Sequence, residues 1–486
     1  MKMSYKFFVV AACVASAFSS CKKELLNPTP PTVVSDATAF DLPYRIENQV
    51  LSLYGALKNG QMYGGRVLVY GDIRGEEFLS EDPNLVTGAD VWSLQPTNTA
   101  TAVLNLWAQG YSIINQANLF IDGMEAKGNT VVGAAKGNNY IAEARLIRAL
   151  TYYNLLQYYA RPYADGNGSR LGLPLRLTGI KGPGASDLAR STVGEVYNQV
   201  LADLNFAEAN LPSNYSTALL NTTRAHKNTA IALKTRVYLS MQNYAKVIEE
   251  ADKLVPASAP FVAKSGVAHA LQADITNVFK TPYTTTESIL SMPFTTTTGD
   301  IPGTQNGLQS YYWASTTGLG SIYSLNPNGI IGNASFKSTD KRRSFIFTAT
   351  TGTNAGKSYL IKFPNSAPVD FVPVIRWAEV LLNLSEALAR TNAGVNARAL
   401  ALVNAVRQRS DATTTITAAT QQELINAILL ERRIEFLGEG LRNNDLMRLL
   451  QTIPAKGTAP AKGPNEEGYI WPASATEKSL NKLWVD

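Results

Sequence analysis

Cysteine is almost missing from this 486-residue chain, which has only Cys13 and Cys21. Cys13 lies in an apolar leader and is expected to leave with it, so Cys21 would stand alone. That excludes a disulfide framework and a thiolate zinc site. Histidine is as scarce, with His226 and His269 in no HExxH or other metal spacing. There is no GxSxG nucleophile elbow. After Cys21 no apolar run reaches the roughly twenty residues that a membrane-crossing helix needs. Charge of one sign is lacking too: the formal net charge of +6 is small and dispersed. No basic cluster is interleaved with aromatics, so nucleic acid is not an expected partner.

Two further motifs fail on inspection. Gly352-Thr353-Asn354-Ala355-Gly356-Lys357-Ser358 has three residues between its glycines, whereas a phosphate-binding loop needs four. It also lies between two alternating segments, so a hairpin turn is expected. Glu76 and Glu77 are adjacent and, in a strand, would point to opposite faces. They are not expected to flank one glycosidic bond. Nothing here implies a metal, a cofactor or an enzyme, although carboxylates distant in sequence could still meet.

What is present begins with Lys2 and Lys6, then the short apolar run Phe7 to Phe18. This reads as a signal peptide over residues 1–20. Ala17-Phe18-Ser19-Ser20-Cys21 places small residues before a cysteine, as in a bacterial lipobox, and marks Cys21 for lipidation. Residues 21–40, with the Pro- and Thr-rich stretch Asn27 to Thr38, form the expected tether.

Helical periodicity dominates residues 41–255. Ile46, Val50, Leu53, Tyr54 and Leu57 share a face, as do Val103, Trp107, Gly110, Ile114 and Ile121. Tyr140 to Leu156 repeats the pattern, and Arg161-Pro162 closes it. Thr192 and Glu195 form a capping box for the helix that ends at Leu211-Pro212. Lys227 to Leu254 reads as a helix hairpin broken at Gln242-Asn243, resembling one tetratricopeptide unit; such units must stack to bury their faces. Residues 256–373 turn rich in Thr, Ser, Gly, Asn and Pro. Ser288–Phe294 alternates, and Ser344-Phe347 with Ser358-Phe363 forms a hairpin pattern. In 374–486 helices return, from Val374, from Ala397 to Arg409 and from Gln421 to Leu437. The expected fold is mostly α, stacked helix pairs with a large loop-rich insertion containing short β-hairpins.

Aromatic residues supply the candidate site. Tyr311, Tyr312, Trp313 and Tyr323 fall in the loop-rich stretch, and Trp92 in the loop Val91 to Pro96. A broad ring with no core to enter can stack on the apolar face of a sugar. The alternative is that these rings pack against the helices beneath them.

Four ordered motifs carry a resemblance: Glu143-Ala144-Arg145-Leu146-Ile147-Arg148-Ala149; Arg376-Trp377-Ala378-Glu379-Val380-Leu381-Leu382; Leu402-Val403-Asn404-Ala405-Val406-Arg407-Gln408-Arg409; and Glu431-Arg432-Arg433-Ile434-Glu435-Phe436 through Glu439-Gly440-Leu441-Arg442 to Asp445-Leu446-Met447-Arg448. Together they resemble the SusD/RagB family of Bacteroidota outer-membrane lipoproteins. Gly438 and Asn443-Asn444 depart from that pattern. The resemblance implies a surface lipoprotein that binds a glycan, or in some members a peptide. It also implies hand-over to a SusC-like TonB-dependent transporter. A lipid-anchored scaffold binding only protein is the rival. The motif charges alternate with apolar residues, which points to buried ion-pair networks between helices. Arg376 is placed to reach Glu379, and Gly440 to take a positive φ.

Overall fold

The computed structural model describes residues 38–182, 184, 186–313 and 322–486. The expected leader, Cys21 and most of the tether lie outside them. Helix α1 (Pro43–Leu57) buries the face expected of it, through Ile46, Val50, Leu53, Tyr54 and Leu57. Its proline sits in the first turn, where a missing N–H has no intrahelical partner to lose. After α2 (Arg66–Ile73) comes the short strand β1 (Phe78–Ser80).

Two long helices follow, α3 (Thr101–Gly123) and α4 (Ala134–Tyr159). Helix α4 is buried on nearly every side because α1, α3 and the later α5 all pack on it. Strands β2 (Leu171–Pro174) and β3 (Arg190–Thr192) pair antiparallel. The capping box then opens α5 (Val193–Asn210). The Glu195 N–H donates to Thr192 Oγ1 at 3.2 Å, and the Thr192 N–H donates to the Glu195 carboxylate at 2.7 Å. The helix hairpin is present as α6 (Lys227–Ser240) and α7 (Tyr244–Ala251). Gln242, at φ +55°, makes the break between them.

The loop-rich stretch carries β4 (Ser288–Met292), β5 (Tyr323–Leu325), β6 (Ile346–Thr348) and β7 (Ser358–Leu360). Strand β8 (Val372–Arg376) leads into α8 (Trp377–Thr391), followed by α9 (Ala397–Ser410), α10 (Gln421–Glu435) and α11 (Arg442–Arg448). One antiparallel sheet runs β1-β5-β7-β6, and β4 pairs with β8. The helices stack in succession, α3 on α4, α4 on α5, α5 on α6, α6 on α7, α7 on α8, and α8 on both α9 and α10. A mostly helical body of stacked pairs with a few small antiparallel sheets is therefore the observed architecture.

Two expectations need correction. Helix was expected from Val374, but Val372–Arg376 is strand, because it pairs with Ser288–Met292 some eighty residues earlier. The expected boundary at 373 thus falls inside β8. Residues 256–373 pack as an insertion into one body: Phe279, Tyr311 and Phe363 belong to the same hydrophobic core as Ile46 and Trp377. Arg376, second, does not reach Glu379. It binds Glu287 at 2.6 Å, Glu435 at 2.6 Å and Glu439 at 2.7 Å, while Glu379 takes Arg236 at 2.6 Å.

That arginine is the centre of a buried network. Glu287, Asp340, Glu431, Glu435 and Glu439 interleave with Arg342, Arg376, Arg407, Arg409 and Lys362. It rivets the irregular stretch, through Glu287, Arg342 and Lys362, to the C-terminal helices. Burial alone would raise the Glu435 pKa, but Arg409, Arg376 and Arg342 hold it well below the usual carboxylate range. The network is scaffold, as the alternation of charge and apolar residues implied.

Candidate functional site

A ligand-binding ring must keep a face in water, and the structure separates the five aromatic candidates on that ground. Tyr311, Tyr312 and Tyr323 have no solvent exposure at all. Their hydroxyls donate to Gln305 O at 2.8 Å, to Asp72 Oδ2 at 2.8 Å and to Thr87 O at 3.0 Å. Each is a core residue with its polar tip satisfied. Trp92 ends a short helix (Ala89–Trp92) instead of lying in a loop. It is buried, and its indole N–H donates to Phe78 O at 2.8 Å. The premise that these rings had no core to enter does not hold: the irregular stretch folds onto the helices and supplies one.

Trp313 differs. It is half-buried, and its backbone N–H donates to Leu360 O at 3.0 Å, which fixes it beside β7. Its ring centroid lies 5.1 Å from that of Phe347 and 4.8 Å from that of Tyr359. Phe347 and Tyr359 are directly opposed across the β6–β7 pair. Because β6 is the edge of its sheet, Phe347 stays 38% exposed. Trp313 and Phe347 thus form a tilted aromatic surface supported from below by Tyr359.

The Thr348 and Ser358 hydroxyls, bonded to each other at 2.9 Å, alternate to the other face of the β6–β7 pair. Lys357, from the Gly-rich turn that failed as a phosphate loop, pairs with Glu81, which also accepts from Ser324. The Tyr359 hydroxyl is buried without a partner among the described residues. Burial, and then the Glu81 charge, pushes its pKa up to about 12, so it stays a neutral hydroxyl at physiological pH. Chemically, the surface can stack a flat apolar face. It holds no nucleophile with an adjacent base among the described residues.

Phe347 and Tyr359 were not among the sequence candidates. The hairpin pattern contained them, but only the register and the edge position of β6 show which ring is exposed. Glu76 and Glu77 also depart from expectation. They precede β1 in a bend and converge on the same two arginines: Arg433 lies 2.9 Å from Glu76 and 2.7 Å from Glu77, and Arg442 lies 2.6 Å from Glu76.

Two family models match the chain. The one described as "Starch-binding associating with outer membrane" covers residues 30–239, and the SusD family model covers 364–481. A SusD-like protein of Formosa agariphila is 24% identical, over 91% of this chain and 88% of its own length. A crystal structure of a SusD superfamily protein from Bacteroides fragilis is 31% identical, with a TM-score of 0.80 over 92% of this chain and 100% of that one. The fold is shared with a laminarin-binding SusD-like protein, at 19% identity and a TM-score of 0.71 over 91% of this chain and 98% of that one. The structural match to the Bacteroides fragilis protein over its whole length, with both family models in chain order, shows that this chain belongs to the SusD family of carbohydrate-binding, outer-membrane-associated proteins.

Proposed function

We propose that this chain is a surface-exposed outer-membrane lipoprotein. It captures a glycan on the Trp313–Phe347 face without changing it and passes it to a TonB-dependent transporter. The observation that carries this reading is the aromatic pair left open on an edge strand of an otherwise well-packed insertion. A pyranose presents C–H groups on one face and hydroxyls around its rim. The C–H face complements the negative face of an aromatic ring such as Trp313 or Phe347. The laminarin-binding neighbour supports a glycan ligand.

Cys21 is the proposed acylation site. No helix among the described residues is long and apolar enough to cross a membrane, so the acyl chains would serve as anchor. Several chains, each contributing about 0.8 kcal/mol per buried methylene, hold firmly.

The test is retardation of the purified chain, residues 22–486, in gels containing starch, laminarin or other neutral polysaccharides. Trp313→Ala should weaken retention about tenfold or more, the loss of roughly 1.4 kcal/mol or more of stacking and burial. Retention by no polysaccharide would refute glycan binding. Release of shorter oligosaccharides by the protein alone would refute capture without chemistry. For the anchor, Cys21→Ala should abolish incorporation of labelled fatty acid.

A further inference from the structure

The segment that follows Trp92 opens on a cleft of about 730 Å³, within the size range of small-molecule sites. Three segments surround it: Leu94–Asn98, residues 462–473 and residues 478–486, with Tyr159 and Arg190 between them. It shares no residue with the Trp313–Phe347 face.

Its lining is built in an unusual way for a surface recess. Trp471 is 1% exposed and packs its ring 4.8 Å from that of Tyr158 and 5.3 Å from that of Tyr70. Yet its indole N–H has no acceptor among the described residues. A buried donor without a partner is costly, and an oxygen from a ligand would remove that cost. The side chains of Gln95, Asn98, Lys462 and Glu467 also make no side-chain hydrogen bond or ion pair among the described residues. The residues lining the cleft therefore carry donors and acceptors that no other described protein group engages.

Charge selects among ligands. Arg190, Lys462 and Lys478 are balanced by Glu466, Glu467 and Asp486. Two of these cations are already engaged: Arg190 lies over the Trp484 ring at 4.8 Å, and Lys478 pairs with Asp486 at 2.6 Å. A polyanion would meet three carboxylates without a net positive field to offset them. A neutral polyol suits the cleft better, because each hydroxyl both donates and accepts. Half-buried Trp484 with Pro96 and Ile470 adds the apolar surface that a sugar's C–H groups need.

We propose that this cleft is a second carbohydrate site, which takes a short neutral stretch of the glycan. One polysaccharide chain would then be held at two points, each raising the effective concentration at the other. The proposal rests on the glycan-binding reading above.

The test uses Lys462→Ala with Glu467→Ala, two side chains at the surface, alone and combined with Trp313→Ala, in the same polysaccharide gels. Gln95→Ala with Asn98→Ala is a second, independent pair. The cleft variants should lower apparent affinity for a neutral polymer about tenfold, and the combination with Trp313→Ala should abolish retention. Titration with short neutral oligosaccharides should give two sites in the parent chain and one in the cleft variants. Unchanged affinity and one site in the parent would overturn the second site while leaving the Trp313 reading intact. Retention by a polyuronate but not by neutral polymers would overturn the neutral class. Displacement from the cleft by short peptides and not by sugars would overturn it in favour of peptide. If no polysaccharide retards the parent chain, both readings fall together.

Discussion

Arg376 and Glu435 meet at 2.6 Å with both side chains withdrawn from water. Glu435 also serves Arg342 at 2.7 Å and Arg409. One carboxylate therefore satisfies three guanidinium groups contributed by an irregular segment, by the end of β8 and by the end of α9. Removing its charge takes a partner from all three at once and leaves them only Asp340, Glu431, Glu287 and Glu439 to share. Glu435→Gln should destabilise the fold by about 3–5 kcal/mol, read as the shift in urea midpoint. Lys127→Ala, at a pair whose lysine is 51% exposed, should stay within about 0.5 kcal/mol. The acid limb carries the same signature. Folding depresses the Glu435 pKa, so its contribution is complete above its unfolded value of about 4.3 and is lost as pH falls through the folded one. Asp445, where burial is outweighed by Arg432 and Arg448, is held at about 2 and acts in the same direction. The Glu435→Gln variant should lose less stability than the parent on acidification below about pH 4.

Asp72 behaves oppositely. Burial pushes its pKa up to about 8, against the Tyr312 hydroxyl and the Gly440 N–H, which lower it. The folded chain thus keeps a proton that the unfolded chain releases above its ordinary value of about 4. Stability from this group is complete below that value and declines as pH rises toward 8, by up to about 1.4 kcal/mol per unit. Asp72→Asn removes the titration. The variant's urea midpoint should rise relative to the parent's between about pH 5 and pH 8. Parallel pH profiles would show that Asp72 is ionised in the folded protein.

Gly440 was expected to take a positive φ and does, at +76°. The structure adds a close approach that the sequence did not show. A Cβ there would lie 2.6 Å from Leu68 Cα, and one on Gly71 would lie 2.1 Å from Gly440 O. Gly440→Ala should therefore cost more than about 2 kcal/mol, strain plus displaced backbone. Gly352 has a similar φ of +73° and open space around it, so Gly352→Ala should cost only the backbone term, about 1 kcal/mol. The difference between the two melting shifts isolates the contact.

How far the sequence reached follows from the range of the forces involved. Helices were legible because their causes are local: the one-sided spacing of Ile46 to Leu57, the Thr192–Glu195 box, the break at Gln242-Asn243. Strand β8 was not, because Val374 and Ile375 read as the start of the following helix until Ser288–Met292 arrives from far away in the chain. The partners of Arg376 were missed for the same reason. That the motif charges form buried networks was legible; which carboxylate meets which guanidinium was not. At the candidate site, composition located the insertion but not its inside and outside. Tyr311, Tyr312 and Trp313 are consecutive, yet two are sealed in the core and only the third keeps a partly open face.

That contrast gives the sharpest separation of stability from binding. Tyr311→Phe and Tyr323→Phe each delete a hydroxyl bonded to a carbonyl, Gln305 O or Thr87 O. Each leaves a buried acceptor short, so stability should fall by about 1–2 kcal/mol, with glycan retention unchanged once the protein is folded. Trp313→Phe and Phe347→Leu keep apolar volume where the rings meet at 5.1 Å, so their melting curves should stay close to the parent's. Their retention in neutral polysaccharide gels should nonetheless weaken several-fold, because stacking area and ring polarisation are lost where a sugar would lie. Equal retention in all four variants would remove the Trp313–Phe347 face as the binding surface. Lost retention in Tyr311→Phe or Tyr323→Phe at unchanged stability would move the site inward to the rings that the structure holds buried.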